Sequence, residues 1–190
     1  MYVPFSQDVE NVNERHTLPF TLYLTNSECG LDAAQTDKHL ASIAETSSAL
    51  QDKPHDITLL LRRALDYYHV RDFENSIADM NDMLQQEPTS VVGLMLRAQC
   101  RFAQLEVSKT TASASDLRLG YLMAQQDYNR ALELQPSSPY LLYNAACLMT
   151  QLSDYAGAIS MFTKALEIDN KFPDAYYSRG VTYILDGQVE

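Results

Sequence analysis

Apolar residues recur along this chain at helical spacing. Leu60, Ala64, Tyr67 and Tyr68 fall at i, i+4, i+7 and i+8, one face of a helix. Ser76, Met80, Met83 and Leu84 form a second stripe that can face the first. The pattern then repeats. Pro54 and Pro88 stand 34 residues apart, and a unit from Ile57 to Ser90 carries Leu60, Arg63, Ala64 and Tyr67, then Ser76, Met80, Met83 and Pro88. The same frame on 139–172 gives Leu142, Ala145, Ala146 and Met149, then Ala158, Phe162, Ala165 and Asn170. On Pro173 it gives Tyr176, Arg179, Gly180 and Tyr183 before the chain stops at Glu190. A small residue at Ala64, Ala98, Ala146 and Gly180 lets paired helices approach closely, and a large side chain from the partner fills the next space. One such hairpin cannot bury both faces, so neighbours must stack.

These large, small and aromatic residues sit at the offsets W-x2-L-G-x2-Y…A-x3-F…P, and the chain resembles the tetratricopeptide repeat (TPR) family. The turns Arg71-Asp72-Phe73, Ser153-Asp154-Tyr155 and Asp186-Gly187-Gln188 recur at equivalent places. The resemblance implies an all-α, right-handed superhelical solenoid of helix-turn-helix repeats. The units expected are 57–90, 91–138 and 139–172, with 173–190 as the first helix of a fourth.

The second unit is longer. Pro88 to Pro136 spans 48 residues, and the excess falls near 106–119, between its helices. The stretch from Ser108 to Ser115 is polar and small, like a loop, and Ser115 is the expected cap of the following helix, with Asp116 in its first turn. Leu117, Tyr121, Ala124 and Tyr128 continue one stripe, so that helix is expected to start early and project beyond the array. In the same unit Arg101 takes a place ordinarily held by an aromatic or aliphatic residue. Residues 36–56 read as a degenerate half-repeat helix, capped by Thr36 or Asp37, with Thr46 replacing the usual aromatic. Residues 1–35 read as an irregular or partly extended arm, because 17–25 is β-branched, aromatic and alternating. At the other end, 173–185 carries apolar residues on both sides, whereas terminal repeats need a polar outer face. The expectation is a further helix beyond Glu190, or self-association through this open helix.

Composition narrows the function classes. Twenty-five acidic residues against 14 basic ones leave a net charge of −11. That balance argues against nucleic acid, whose backbone is bound chiefly by Lys and Arg. No apolar run reaches the roughly 20 residues needed to span a bilayer. The amino terminus lacks the basic segment and apolar core of a secretory signal, which leaves cytoplasm and periplasm open, the former preferred. Cys29, Cys100 and Cys147 form no C-x-x-C, and His16, His39, His55 and His69 form no H-x-x-H, so neither a zinc site nor another cofactor is expected. There is no G-x-S-x-G, P-loop or G-x-G-x-x-G, and the acidic pairs Asp79/Asp82 and Glu167/Asp169 read as solvated surface. The chain is read as non-catalytic.

In the TPR family ligands lie in a concave groove lined by the first helix of each repeat. The resemblance carries that face onto Tyr68 and His69; Met95, Gln99 and Phe102; Tyr140, Tyr143 and Gln151; and Tyr177. Some family members clamp a terminal carboxylate with Lys, Arg and Asn at such positions. None stands there in this chain, so an apolar, aromatic groove is expected, taking a peptide or a protein partner. A large open apolar trough is unusual in a soluble protein, so the arm around Leu18 to Leu24 is expected to fill part of it. A structural spacer or oligomerisation module of a longer protein is the alternative.

Overall fold

The computed structural model describes residues 33–187, which form eight helices and, among the described residues, no strand. Residues 1–32 of the expected amino-terminal arm lie outside the described residues, and its last three, 33–35, belong to a helix. In chain order the helices are α1 (Ala33–Asp52), α2 (Ile57–His69), α3 (Phe73–Gln86), α4 (Val91–Ser108), α5 (Ala114–Leu134), α6 (Pro139–Gln151), α7 (Tyr155–Ile168) and α8 (Pro173–Leu185).

Most helices begin where an oxygen side chain can take up an orphan backbone N–H. Asp56, Asp72, Ser90, Ser113, Ser138 and Asp154 each accept from an N–H two or three residues on. The cap of α5 is therefore Ser113 rather than Ser115. Its hydroxyl oxygen accepts the Asp116 N–H at 3.2 Å, and its hydroxyl donates to the Asp116 carboxylate at 2.6 Å. α1 already includes Ala33, Ala34 and Gln35 ahead of Thr36, all of them favourable helix residues. α8 has no side-chain cap: Pro173 occupies its first turn, and Phe172 before it is buried. The chain passes through the left-handed region at the same place after three inner helices, at Arg71 (φ 64°) after α2, Ser153 (φ 62°) after α6 and Gly187 (φ 71°) after α8.

Consecutive helices pack on one another from α1 to α8. In addition α2 touches α4, α4 touches α6 and α6 touches α8. No such contact joins α3, α5 and α7, so α2, α4, α6 and α8 form the tight inner row of a helical solenoid, with the alternate helices splayed outside. Ala64, Ala98 and Ala146 are wholly buried, each covered where the next helix crosses. Met80, Tyr128 and Phe162 fill the adjoining spaces. Each such large side chain contributes about 1.5–3 kcal/mol on burial. The core falls into two clusters. One runs from Leu50 through Leu148; the other gathers Ala146, Ala158, Phe162, Leu166, Phe172 and Ala175.

The loop of the long second unit falls within the polar stretch expected for it, at 109–113, and the rest of the excess is helical. α4 continues to Ser108, a short turn follows, and α5 starts at Ala114, so the hairpin extends past its neighbours. Gly120 permits this pairing: a Cβ there would meet Leu105 Cδ2 at 2.5 Å. Tyr121 Oη donates to Glu106 at 2.7 Å across the same extension. Val107, Leu119, Leu122 and Met123 are exposed upon it.

Candidate partner-binding face

The inner row presents the face that the resemblance singles out, and the nine residues expected there divide into three groups. Met95, Gln99 and Phe102 are buried, so as the chain stands they offer no surface to a partner. Their burial has a physical cause. α4 lies between α2 and α6 in the row, so the side chains it turns toward them fill the seams. Phe102 packs on Tyr121, with ring centroids 6.1 Å apart. Gln99 is wholly buried, and neither its amide oxygen nor its nitrogen has a hydrogen-bond partner.

Tyr68, His69, Tyr140 and Tyr143 are half-buried between neighbouring helices. Tyr140 and Tyr143 lie against Phe172 at 5.3 and 4.9 Å, so both help hold α8 to α6. Burial pushes the Tyr143 phenol up. Tyr68 packs edge-on against Phe73 and His69, and burial pushes its phenol up as well. His69 stacks on His39 at 4.7 Å, so α1 covers this end of the row. The Asp66 carboxylate ties that cover down: His39 Nδ1 lies 2.7 Å from one oxygen, and Ser42 Oγ donates to the other at 2.6 Å. Burial and the neighbouring His39 lower the pKa of His69.

Gln151 and Tyr177 are exposed. Lys109, at the tip of the extended hairpin, donates to Gln151 Oε1 at 2.9 Å, bringing the extension onto the rim of the face. Tyr177 is 75% exposed and sits with exposed Ile184 and Leu185 at the α8 end of the row.

Buried ion pairs, which the acidic pairs read as surface do not reveal, hold the two rows together. Asp79 is buried, not solvated, and accepts from Arg63 Nε and Nη2 at 2.9 and 2.6 Å. The hydrogen bond to Asp79 raises the Arg63 pKa. Asp127 does the same for Arg97, again at 2.9 and 2.6 Å, and also accepts from Arg101. That is how Arg101 is housed at an aromatic position; burial nonetheless lowers its pKa. A signal for these pairs exists in the sequence: Asp79 follows Arg63 by 16 residues, and Asp127 follows Arg97 by the same offset once the extension is set aside.

Among the described residues no group of three or more His, Cys, Asp or Glu could hold a metal ion. No helix among them is long and apolar enough to cross a membrane.

Residues 148–187 match the family model described as TPR repeat. A curated relative, the DnaJ homolog subfamily C member 3 homolog of Dictyostelium discoideum, is 26% identical over 161 residues, which is 80% of this chain. The chain spans 31% of that relative's length. Among solved structures, MamA shares the fold with a TM-score of 0.67 at 16% identity, over 86% of this chain and 87% of that one. TTC0263, a thermophilic TPR protein of Thermus thermophilus, gives 0.66 at 14% identity over 83% and 79%. The first TPR of Spaghetti (RPAP3), bound to the HSP90 peptide SRMEEVD, gives 0.59 at 15% over 69% and 93%. The chain thus shares the fold of the tetratricopeptide-repeat solenoids, and residues 148–187 match the family's repeat.

Proposed function

We propose that the chain is a non-catalytic interaction module that takes a peptide or partner protein on its inner row. The observation that carries this reading is the cluster of Tyr177, Ile184 and Leu185, all exposed on α8 at one end of that row. Apolar and aromatic groups gathered on a soluble surface mark an interaction site. The half-buried edges of Tyr68, His69, Tyr140 and Tyr143 extend the same chemistry along the row.

The solved RPAP3 repeat binds a peptide ending in Glu-Glu-Val-Asp. The likeness to it is one of fold, and its ligand is not transferred. The inner-row positions named above hold no Lys, Arg or Asn, which favours an apolar or aromatic-rich segment over an acidic tail.

Affinity capture from the native cell tests the proposal. Tyr177→Ala should lose the captured partner while the melting temperature stays within about a degree of wild type. Tyr143→Ala is the poorer control, since its ring packs against Phe162 and Phe172. Identical capture by wild type and Tyr177→Ala rejects the inner row as the binding face.

A further inference from the structure

The outer face of α5 carries a seam that its own hairpin does not use. Asp116, Leu119, Met123, Gln126 and Arg130 are all exposed and follow one another at alternating steps of three and four residues. That is the spacing by which one helix lies along another. Leu122 stands beside them, and Leu119, Leu122 and Met123 are 60%, 43% and 41% exposed. The inward face of the same helix is already covered: Tyr121, Ala124, Asp127, Tyr128 and Ala131 are buried. The seam owes its length to the extension. α5 runs for 21 residues against 14 in α3 and in α7, and the added turns, at its amino end, supply Asp116 and Leu119.

Charge is ordered along this seam. It begins at an acid, Asp116, and ends at a base, Arg130, with the apolar side chains between them. From 117 through 132 no exposed carboxylate stands on α5, because Asp127 is turned inward to Arg97 and Arg101. The other outward faces of this chain, whose net charge is −11, carry acids: Glu74 and Asp82 on α3, and Asp37, Glu45 and Asp52 on α1. Two copies meeting on those faces would bring like charges together; on α5 they would not. Arg130 donates to Glu133 at 2.7 Å on its own helix, and both are more than half exposed. So exposed a pair holds Arg130 weakly, and turning to another acid costs little.

We infer that α5 docks on the α5 of a second copy of this chain, antiparallel to it, about a two-fold axis passing near Met123. Antiparallel packing sets Asp116 of each copy against Arg130 of the other and lays Met123 on Met123, with Leu119 and Leu122 closing around them. Glu133 then nears the amino terminus of the opposite α5, where the helix dipole favours a carboxylate. The order of charge selects this occupant. A seam that runs from acid to base is complementary to itself when reversed, as an isologous contact requires; a partner of other sequence needs no such symmetry. From Asp116 to Arg130 the seam is about 21 Å long. One helix crossing of that length falls short of the about 800 Å² per partner of a standard interface, so the copies associate reversibly. The contact lies on an outer helix and stands apart from the inner-row reading.

Sedimentation velocity of the full chain, from micromolar to millimolar concentration, tests the contact. We expect a reversible equilibrium between monomer and dimer. Leu119→Glu should weaken the dimer at least about tenfold, while circular dichroism and the melting temperature stay as in wild type, because the side chain replaced is exposed. Asp116→Arg and Arg130→Asp should each weaken it as well. The chain carrying both should regain the dimer, since the pairs then form with their signs exchanged. Tyr177→Ser, on α8, should leave the equilibrium unchanged. Four results overturn the proposal: a chain that stays monomeric at every concentration, a dimer indifferent to Leu119→Glu, a double variant no better than the single ones, or a dimer that dissolves with Tyr177→Ser.

Discussion

Asp127 offers a sharp test of the reasoning about buried charge. Its carboxylate has a side-chain exposure of 6% and is shared by Arg97 and Arg101, at 19% and 16%. Asp127→Ala leaves two largely buried cations without a counter-ion. Breaking a buried pair from one side costs about 3–5 kcal/mol. Arg130 and Glu133, both more than half exposed, supply the contrast: Glu133→Ala should cost less than about 1 kcal/mol. The assay is urea denaturation followed by circular dichroism, reading the midpoint and slope. A further arm uses a substitution the chain already contains. The third unit replaces the pair by Ala145 and Met161, so Arg63→Ala combined with Asp79→Met should be milder than Asp79→Ala alone, where Arg63 loses its buried partner. If Asp127→Ala costs no more than Glu133→Ala, or if the double substitution is as damaging as the single one, the buried pairs do not hold the rows as argued.

Other outcomes follow from single positions. Ser153 is exposed and sits at φ 62°, so Ser153→Gly should stabilise by about 0.5–1 kcal/mol, the relief of left-handed strain outweighing the added chain entropy; a lower melting temperature would contradict this. The folded state holds the His69 pKa below 6.5, so the unfolded chain binds more protons as pH falls through that value and stability declines on acidification. His69→Gln should flatten that decline in urea titrations between about pH 7 and pH 5. Burial pushes the Cys100 thiol up to about 12 and the Cys147 thiol likewise, so neither should alkylate at neutral pH until urea opens the fold, a difference that mass spectrometry of labelled peptides reads directly.

The helical pairs were legible because the small residues at Ala64, Ala98, Ala146 and Gly180 return in a fixed frame, and stacking is the one arrangement that buries such a pattern. Exposure along the inner row was not legible. Met95 and Tyr177 hold the same position in the repeat, yet one is buried and the other 75% exposed, because among the described residues α4 has a neighbour on each side in the row and α8 has one. The position in a repeat sets which way a side chain points; what lies there depends on the neighbouring unit. The burial of Asp79 was hidden for a related reason. An acid among polar residues on one helix looks solvated until its arginine, 16 residues away, is brought over it. The extension hid the equivalent spacing in the second unit, although the stripe Leu117, Tyr121, Ala124 and Tyr128 already marked the early start of α5.

The division of the core at α6 bears on how the molecule comes apart. Leu141, Ala145 and Leu148 belong with the amino-terminal cluster, while Ala146 belongs with the carboxy-terminal one, so a single helix is cemented to both. The last two helices rest on the smaller cluster, held chiefly by Phe162, Phe172 and the rings of Tyr140 and Tyr143. They can peel away as a unit while the earlier pairs keep their own packing, as cooperative segments of a stacked array do. Amide exchange should then show two tiers of protection, with the step falling between α6 and α7 and the faster tier on α7 and α8.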